Sequence, residues 1–230
     1  DRDVFAFASE LKENSRKVPF VLLTHFSKEI YRRLALQDTS AVDYMFSWHG
    51  NADLIVAIIK LFEDLQNAED DILNVGVQSI LLVEDSVRFY STYLPELYKL
   101  VLKQSSEFLK ETLNEQQRKF RKRSRPKILL ATNFDDAVEM YSKFKDNILG
   151  VISDVGFNVH KDDSPEMEKL DAGIDLVKLI KEDNPKIPIL LQSSQDSISA
   201  VAEELGVGFL RKYSKTLMIQ LAEYIKRSEE

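Results

Sequence analysis

The sequence predicts an α/β protein with a doubly wound parallel sheet, on three observations. From Ser79 onward, short runs rich in Val, Ile and Leu alternate with longer amphipathic stretches. The runs are apolar throughout, as expected for parallel strands that are buried on both faces. The stretches between them are long enough for helices that cover a sheet, and this alternation is typical of α/β proteins.

Five strands and five helices follow one another in this part of the chain. The predicted strands lie near 79–83, 127–131, 148–153, 187–192 and 207–211. The predicted helices lie near 87–121, 134–145, 168–183, 195–205 and 214–228. In the last helix, Ser214 is a suitable N-cap, and Leu217, Leu221 and Ile225 share one apolar stripe. Five strand–helix units of this size predict a flavodoxin-like sheet.

The first of these helices is predicted to be unusually long. About four turns are enough to cover such a sheet, whereas the apolar spacing that begins at Val87 continues to about Arg121, with a kink expected at Pro95. The extra turns must pack on the preceding segment or on a second copy of the chain, so a homodimer through 87–121 is one prediction. The basic run 118–125 is interpreted as a solvated helix end.

The N-terminal part of the chain repeats the second half of this pattern. The run 18–24 parallels 187–193, the run 41–48 parallels 206–213, and a helix with an apolar stripe follows each pair. Half of a doubly wound sheet exposes an edge strand and apolar faces. Either residues upstream have been removed, or this half packs on the complete domain or on a partner.

The repeat predicts how the chain divides into domains. Residues 1–70 form a partial unit, 71–77 a linker, and 78–230 a complete domain. The chain begins with Asp1 rather than Met, which is compatible with a piece of a longer protein.

Composition narrows the classes of function. The 230 residues are 44% hydrophobic, enough for one large or two modest domains. The net charge of −7 provides no basic field for nucleic acid. Cys is absent, which excludes disulfides and thiolate sites, and the three His residues lack the spacing of a zinc site. No apolar stretch approaches the roughly 20 residues that span a bilayer, and no signal peptide opens the chain, so we expect a soluble cytoplasmic protein without membrane contacts.

Charged and hydroxyl side chains follow four of the five predicted strands. Glu84 and Asp85 follow the first strand, Asp154 ends the third, Ser193 ends the fourth and Lys212 follows the fifth. The carboxyl ends of parallel strands meet at one edge of the sheet, where such folds bind ligands. Three carboxylates and one lysine suit a hard divalent cation and a phosphoryl group.

This set of residues resembles the response-regulator receiver domain of two-component signalling, over about 78–228. The resemblance implies that Asp154 is a phosphoacceptor, which takes a phosphoryl group from the phosphohistidine of a histidine kinase or from a small phosphodonor. It also implies that Glu84, Asp85 and Asp154 hold Mg²⁺, with the backbone carbonyl of Gly156 as a further ligand.

The resemblance assigns three further roles. Lys212 would pair with the phosphoryl oxygens, Ser193 would hydrogen-bond the new phosphate, and Phe209 would be the aromatic switch residue that follows this movement. Two features depart from the family pattern: Tyr213 stands where Pro usually follows the lysine, and the loop 155–165 is longer than usual.

The N-terminal half-unit resembles a degenerate receiver. Thr24 matches Ser193, but Ser47 stands where Lys212 stands in the complete unit. Without the lysine a phosphoryl group is poorly stabilised, so we expect a structural role for residues 1–70.

A closer resemblance is to the N-terminal receiver region of large bacterial phosphoenolpyruvate synthase-like proteins, which carry a pyruvate/phosphate dikinase type of enzyme downstream. It implies that this chain is a regulatory fragment with no kinase active site of its own. The segments that carry the resemblance are 77–91, 125–131, 149–154 and 188–194, with the lead-in 48–54.

Other interpretations stay open at this point. The carboxylates could be ordinary strand-end residues near helix N-termini, which favour negative charge. Both units could be pseudo-receivers that are not phosphorylated and serve as an interaction scaffold. A flavin or nucleotide site is disfavoured, because the acidic loop at Glu84 repels phosphate and no Gly-rich phosphate loop is present.

Overall fold

The chain divides into two compact units. One comprises Asp1–Phe62 with Ser86–Pro95, and the other comprises Glu63–Asp85 with Glu96–Glu230. The computed structural model describes residues 4–14, 18–25, 40–110, 125–161, 163–164, 167–212, 214, 219–220 and 223–224. None of the helices in these ranges is both long and apolar enough to cross a membrane.

The first unit contains a two-stranded parallel sheet. Its elements are α1 (Val4–Asn14), β1 (Val21–Thr24), β2 (Tyr44–Ser47) and the start of α2 (Asp53–Ala68). Phe46 is fully buried, and its ring meets Tyr90 edge to face at 5.4 Å. The two strands pair from Val21 with Tyr44 to Thr24 with Ser47, so β1 and β2 are adjacent and parallel like the last two strands of the second unit.

The backbone ladder corrects the equivalence between Ser47 and Lys212. The amide of Trp48 donates to the Thr24 carbonyl over 2.9 Å, and the amide of Lys212 donates to the Ser193 carbonyl over the same 2.9 Å. Since Thr24 corresponds to Ser193, the residue at the position of the lysine is Trp48. The expectation for Ser47 was wrong by one residue, because matching of sequence runs does not fix the register of a strand pair.

The second unit contains the predicted five-stranded parallel sheet. The strands lie in the order β4-β3-β5-β6-β7, and every neighbouring pair is parallel. This is the strand order of flavodoxin-like sheets, so the predicted fold class is confirmed. The elements are β3 (Ser79–Val83), α3 (Val87–Lys110), β4 (Lys127–Ala131), α4 (Phe134–Phe144), β5 (Ile148–Asp154), α5 (Ala172–Asp183), β6 (Ile189–Ser193), α6 (Ile198–Glu204) and β7 (Gly208–Arg211).

Helix α3 accommodates Pro95 and is described as far as Lys110. The rest of the predicted helix 87–121 lies outside the described residues, and so does most of the predicted helix 214–228. A homodimer through 87–121 therefore stays a prediction.

A hydrophobic core forms where one face of the sheet meets α4, α5 and α6. A fully buried Val, Leu or Ile side chain in this core stabilises the fold by roughly 1.5–3 kcal/mol through its removal from water. The strands contribute Leu81, Val83, Leu129, Val151 and Leu191, and the helices contribute Ala137, Tyr141, Leu176, Val177, Ile180 and Ala202.

Two helices begin later than predicted. Helix α5 begins at Ala172 rather than 168, because Lys169 forms an antiparallel bridge with Phe157 and its backbone is therefore extended. Helix α6 begins at Ile198 rather than 195, and the segment before it is a turn in which the Gln195 amide donates to the Ser193 hydroxyl over 3.1 Å.

The segment predicted as the linker 71–77 is folded. A π-helical turn, Glu69–Asn74, continues directly from α2. Ile72 within it is fully buried and belongs to the core described above. The composition of this segment is polar, which favoured a linker, but Ile72 and Val77 are both buried, and Ile72 attaches the segment to the second unit.

A buried ion network accompanies this turn. Arg125 binds both carboxylate oxygens of Asp64, at 2.9 and 2.6 Å, and Asp64 is fully buried. Lys127 lies 3.6 Å from Asp64 and 2.5 Å from Asp71. The interpretation of 118–125 as a solvated helix end is therefore wrong for Arg125, and the rest of that run lies outside the described residues.

Candidate functional site

The strand order reverses beside β3, which lies between β4 and β5. In open parallel sheets a ligand crevice opens at such a point, outside the carboxyl ends of the strands. Glu84 and Asp85 follow β3, and Asp154 ends β5. The chain thus delivers three carboxylates to the edge where a ligand site is expected.

The three carboxylates lie together with one lysine. Glu84, Asp85 and Asp154 each place an oxygen within 4.8 Å of the others. The Lys212 ammonium lies 2.8 Å from Glu84 Oε2 and 2.5 Å from Asp154 Oδ2. The predicted clustering of these four residues is present.

Burial makes this arrangement electrostatically costly. Glu84 is 1% exposed, and its pKa is raised well above the usual value. Burial is the largest cause and the charge of Asp154 the second, whereas Lys212 acts in the opposite direction. Burial also raises the pKa of Asp85 to about 6. Burial lowers the pKa of Lys212, but the charges of Glu84 and Asp154 outweigh this effect, so its pKa is raised overall. The site therefore holds more negative charge than its one lysine balances.

The backbone around Asp154 is fixed by helix α5. The amide of Val155 donates to Asp154 Oδ1 over 2.7 Å, and the amide of Gly173 donates to the Val155 carbonyl over 2.9 Å. A Cβ atom on Gly173 would lie only 2.0 Å from the Asp154 carbonyl oxygen. Only glycine fits this contact, so the first turn of α5 packs directly against the backbone of Asp154.

Ser193 and Phe209 lie on the two strands beyond Asp154. Asp154 pairs with Gln192 in the ladder, which puts Ser193 one residue further along β6. Ser193 is buried, and its hydroxyl accepts a hydrogen bond from the Gln195 amide, as that of a capping serine does. Phe209, on β7, is half-buried and packs against the hydrophobic core.

The loop after Asp154 is anchored through Phe157 and Asn158. Phe157 is fully buried, and its amide and carbonyl pair with those of Lys169. The amide of Asn158 donates to Asp85 Oδ2 over 3.2 Å. The first amide of α4, that of Phe134, donates to the Asn158 carbonyl over 3.0 Å. The loop 155–165 is long, as the sequence indicated, but its first half is built into the site.

Gly156 lies where this loop passes the carboxylates. A Cβ atom at this position would be 2.5 Å from Glu168 Oε1, so the Glu168 carboxylate occupies the space of the missing side chain. The charge of Glu168 is also among the causes that raise the pKa of Asp85. Glu168 thus lies beside Gly156, and its charge acts on Asp85.

Sequence reasoning missed three residues at this site. Glu168 and Asn158 belong to a loop without periodicity, and no local pattern places them near Asp85. A glycine at the second position of a helix was the only signal for Gly173. Its meaning depends on the strand beneath the helix, which local sequence does not specify.

No known sequence family matches the chain, and no curated protein matches it. Among solved structures, it is similar to a response regulator receiver domain protein from Clostridium thermocellum, with 20% identity over 66% of this chain and 94% of that chain and a TM-score of 0.41. The non-phosphorylated HemR receiver domain from Leptospira biflexa has 21% identity over 64% and 94%, with a TM-score of 0.41. The CheX–CheY–BeF3–Mg²⁺ complex from Borrelia burgdorferi has 15% identity over 69% and 94%, with a TM-score of 0.42.

The arrangement of side chains suits one kind of chemistry best. Carboxylate oxygens are the ligands that Mg²⁺ prefers, and three of them converge here. An ammonium group beside a carboxylate also stabilises the equatorial oxygens of a transferred phosphoryl group. The site therefore suits a divalent cation together with a phosphoryl group.

Proposed function

We propose that the second unit is a phosphoacceptor signalling domain of the receiver type, with Asp154 as the residue that is phosphorylated. The observation that carries this proposal is the convergence of three carboxylates and Lys212 at the switch point of a flavodoxin-like sheet. Residues 78–230 are the proposed receiver domain, and residues 1–70 are a degenerate receiver-like unit.

Asp154 is the nucleophile in this proposal. One of its carboxylate oxygens attacks the phosphorus of a histidine kinase's phosphohistidine or of a small phosphodonor. A P–O bond forms while the donor's P–N or P–O bond breaks, and the donor retains the electron pair. The hydrogen bond from the Val155 amide to Asp154 Oδ1 leaves Oδ2, the oxygen beside Lys212, as the attacking atom.

Lys212 stabilises the charge that accumulates on the phosphoryl oxygens. It is 6% exposed, and in such a setting its charge acts over a few ångström with little screening. Its present contact with Asp154 is replaced by a contact with the phosphoryl group once the acyl phosphate forms.

Glu84, Asp85 and Asp154 would hold Mg²⁺, with the Gly156 carbonyl as a further ligand. The residues fit this ion because their net charge is negative and their oxygens lie within 4.8 Å of one another. When bound, Mg²⁺ neutralises the carboxylates and draws charge from the transferring phosphoryl group. Asn158 orients Asp85 by donating its amide to the carboxylate.

Ser193 and Phe209 carry the response to phosphorylation. The Ser193 hydroxyl exchanges its contact with the Gln195 amide for a hydrogen bond to the phosphoryl group. Phe209 then turns from its half-buried position toward the space that Ser193 vacates, which biases the β6–α6 segment between two states.

The output is proposed from the resemblance of several sequence segments to phosphoenolpyruvate synthase-like proteins of bacteria. In this proposal the chain is regulatory, and phosphorylation of Asp154 controls an attached enzyme of that type. Comparison of that enzyme's rate with and without the aspartyl phosphate in the full-length protein tests this part separately.

Incubation with acetyl phosphate and Mg²⁺, followed by intact-mass measurement, tests the phosphoacceptor. We expect an adduct of about 80 Da, one phosphoryl group, that depends on Mg²⁺ and is absent from Asp154→Asn. Asp146→Asn is the matched control and retains the adduct, because Asp146 is exposed in the turn before β5, at the end of the strand opposite Asp154. An adduct that survives in Asp154→Asn would exclude the proposal, and no adduct in the wild type would favour a non-phosphorylated scaffold.

A further inference from the structure

A fourth carboxylate, that of Glu168, lies at the mouth of the site. The bridge between Phe157 and Lys169 turns the loop back on itself, and the residue before Lys169 then faces Gly156. Glu168 Oε1 and Cδ lie 2.5 and 3.5 Å from the position of a Cβ atom on Gly156. A residue with a side chain at 156 would compete for this space, so the glycine and the glutamate form a matched pair.

Among the residues that the structure describes, no cation is paired with the Glu168 carboxylate. None of the ion pairs among the described residues involves Glu168. The neighbouring Lys169 is directed to Asp175, with Asp171 at 4.0 Å. The negative charge of Glu168 is felt at Asp85, so it adds to a cluster that already carries three carboxylates against one lysine.

Such an arrangement is unfavourable without a cation and favourable with one. Like charges that share a small region repel one another unless a counter-charge is present. Mg²⁺ keeps several water molecules when it binds to proteins, and these waters need acceptors around the ion. Groups that accept such hydrogen bonds influence the affinity of a metal site without touching the metal.

We propose that Glu168 is an outer carboxylate of the cation site, which accepts hydrogen bonds from water molecules bound to the cation and increases its affinity. This inference rests on the cation site of the proposed function. Glu168 is a positioning residue here, since it reaches the cation through water rather than by direct contact.

The contribution of Glu168 to cation affinity can be measured with Mn²⁺, because the electron paramagnetic resonance signal of the free ion reports how much of it is bound. We expect Glu168→Gln to weaken Mn²⁺ binding about tenfold, at the lower end of the range for such groups because Glu168 is exposed. Glu182→Gln, an exposed glutamate on α5, is the matched control and leaves the affinity unchanged.

The outcomes distinguish this inference from the proposed function. Mn²⁺ binding by the wild type with the same affinity in Glu168→Gln would overturn the role of Glu168 alone. No binding by the wild type would overturn the cation site and the role of Glu168 together. Phosphorylation of Asp154 at saturating Mg²⁺ is expected in both proteins.

A rescue variant separates charge from structure. Glu168→Ala vacates the space beside Gly156, and Gly156→Asp in the same protein returns a carboxylate to it. The backbone at 156 is compatible with a side chain, because the one atom closer than 3.5 Å to such a Cβ is Glu168 Oε1, which Glu168→Ala removes. We expect Glu168→Ala to lose affinity and the double variant to recover most of it, whereas no recovery would contradict the proposal.

Discussion

Replacement of Asp64 with Asn should destabilise the protein strongly, although the two side chains have nearly the same size. Asp64 is fully buried and accepts hydrogen bonds from Arg125, from Tyr98 at 2.9 Å and from the Ile128 amide at 3.0 Å. Arg125 donates twice, at 2.9 and 2.6 Å. Asn has one acceptor oxygen and no charge, so at least one of these donors is left without a partner.

The magnitude follows from the cost of an uncompensated buried charge. Arg125 is 5% exposed and cannot recover its hydration. Removal of one partner from a buried ion pair costs about 3–5 kcal/mol, out of a total stability of about 5–15 kcal/mol. Lys127 limits the loss, because it keeps its contact with Asp71 at 2.5 Å. We expect a decrease of about 4 kcal/mol in the free energy of unfolding.

Urea denaturation followed by far-ultraviolet circular dichroism measures this decrease. Glu69→Gln is the matched control, since Glu69 is 72% exposed in its pair with Lys143. Such a pair contributes at most about 1 kcal/mol. A double variant, Asp64→Leu with Arg125→Met, should be more stable than Asp64→Asn, because it removes both charges. If Asp64→Asn and Glu69→Gln lost the same small amount, the ion network would not have the energetic role assigned to it.

Two further predictions concern the site. Gly173→Ala places a Cβ atom 2.0 Å from the Asp154 carbonyl oxygen. We expect the free energy of unfolding, measured by urea denaturation, to decrease by about 1–3 kcal/mol, and the adduct at Asp154 to form more slowly. If neither quantity changed, the contact would be contradicted. Asp85→Asn should stabilise the metal-free protein above about pH 6. Burial raises the pKa of Asp85 in the folded protein to about 6. The wild type therefore loses stability as the pH rises from about 4 to 6, by at most about 3 kcal/mol, and the variant does not. Thermal unfolding in EDTA from pH 4 to 8 measures this difference, and curves that stay parallel over the range would refute it.

The sequence was informative wherever a local pattern reflects burial. Continuous apolar runs located the five strands within two residues of their observed ends, because strands covered on both faces have no polar positions. The carboxyl ends of those strands then located Glu84, Asp85, Asp154 and Lys212, since parallel strands end at one edge. Helix starts were less accurate: a turn or a bridge before α5 and α6 has no periodicity that distinguishes it from a helix.

Polar contacts between distant segments could not be predicted from the sequence. Arg125 belongs to a basic run and Asp64 to an amphipathic helix, and each taken alone predicts exposure. They are buried because the end of α2 and the start of β4 meet in the folded chain.

The sequence by itself determined the parallel sheet and the group of charged residues at its edge, because both depend on periodic burial and on where strands end. Only the tertiary structure decided that Gly173 presses on Asp154, that Glu168 fills the space beside Gly156, and that Asp64 is buried. These depend on which surfaces meet across long stretches of chain, and a local pattern of residue types carries no information about that.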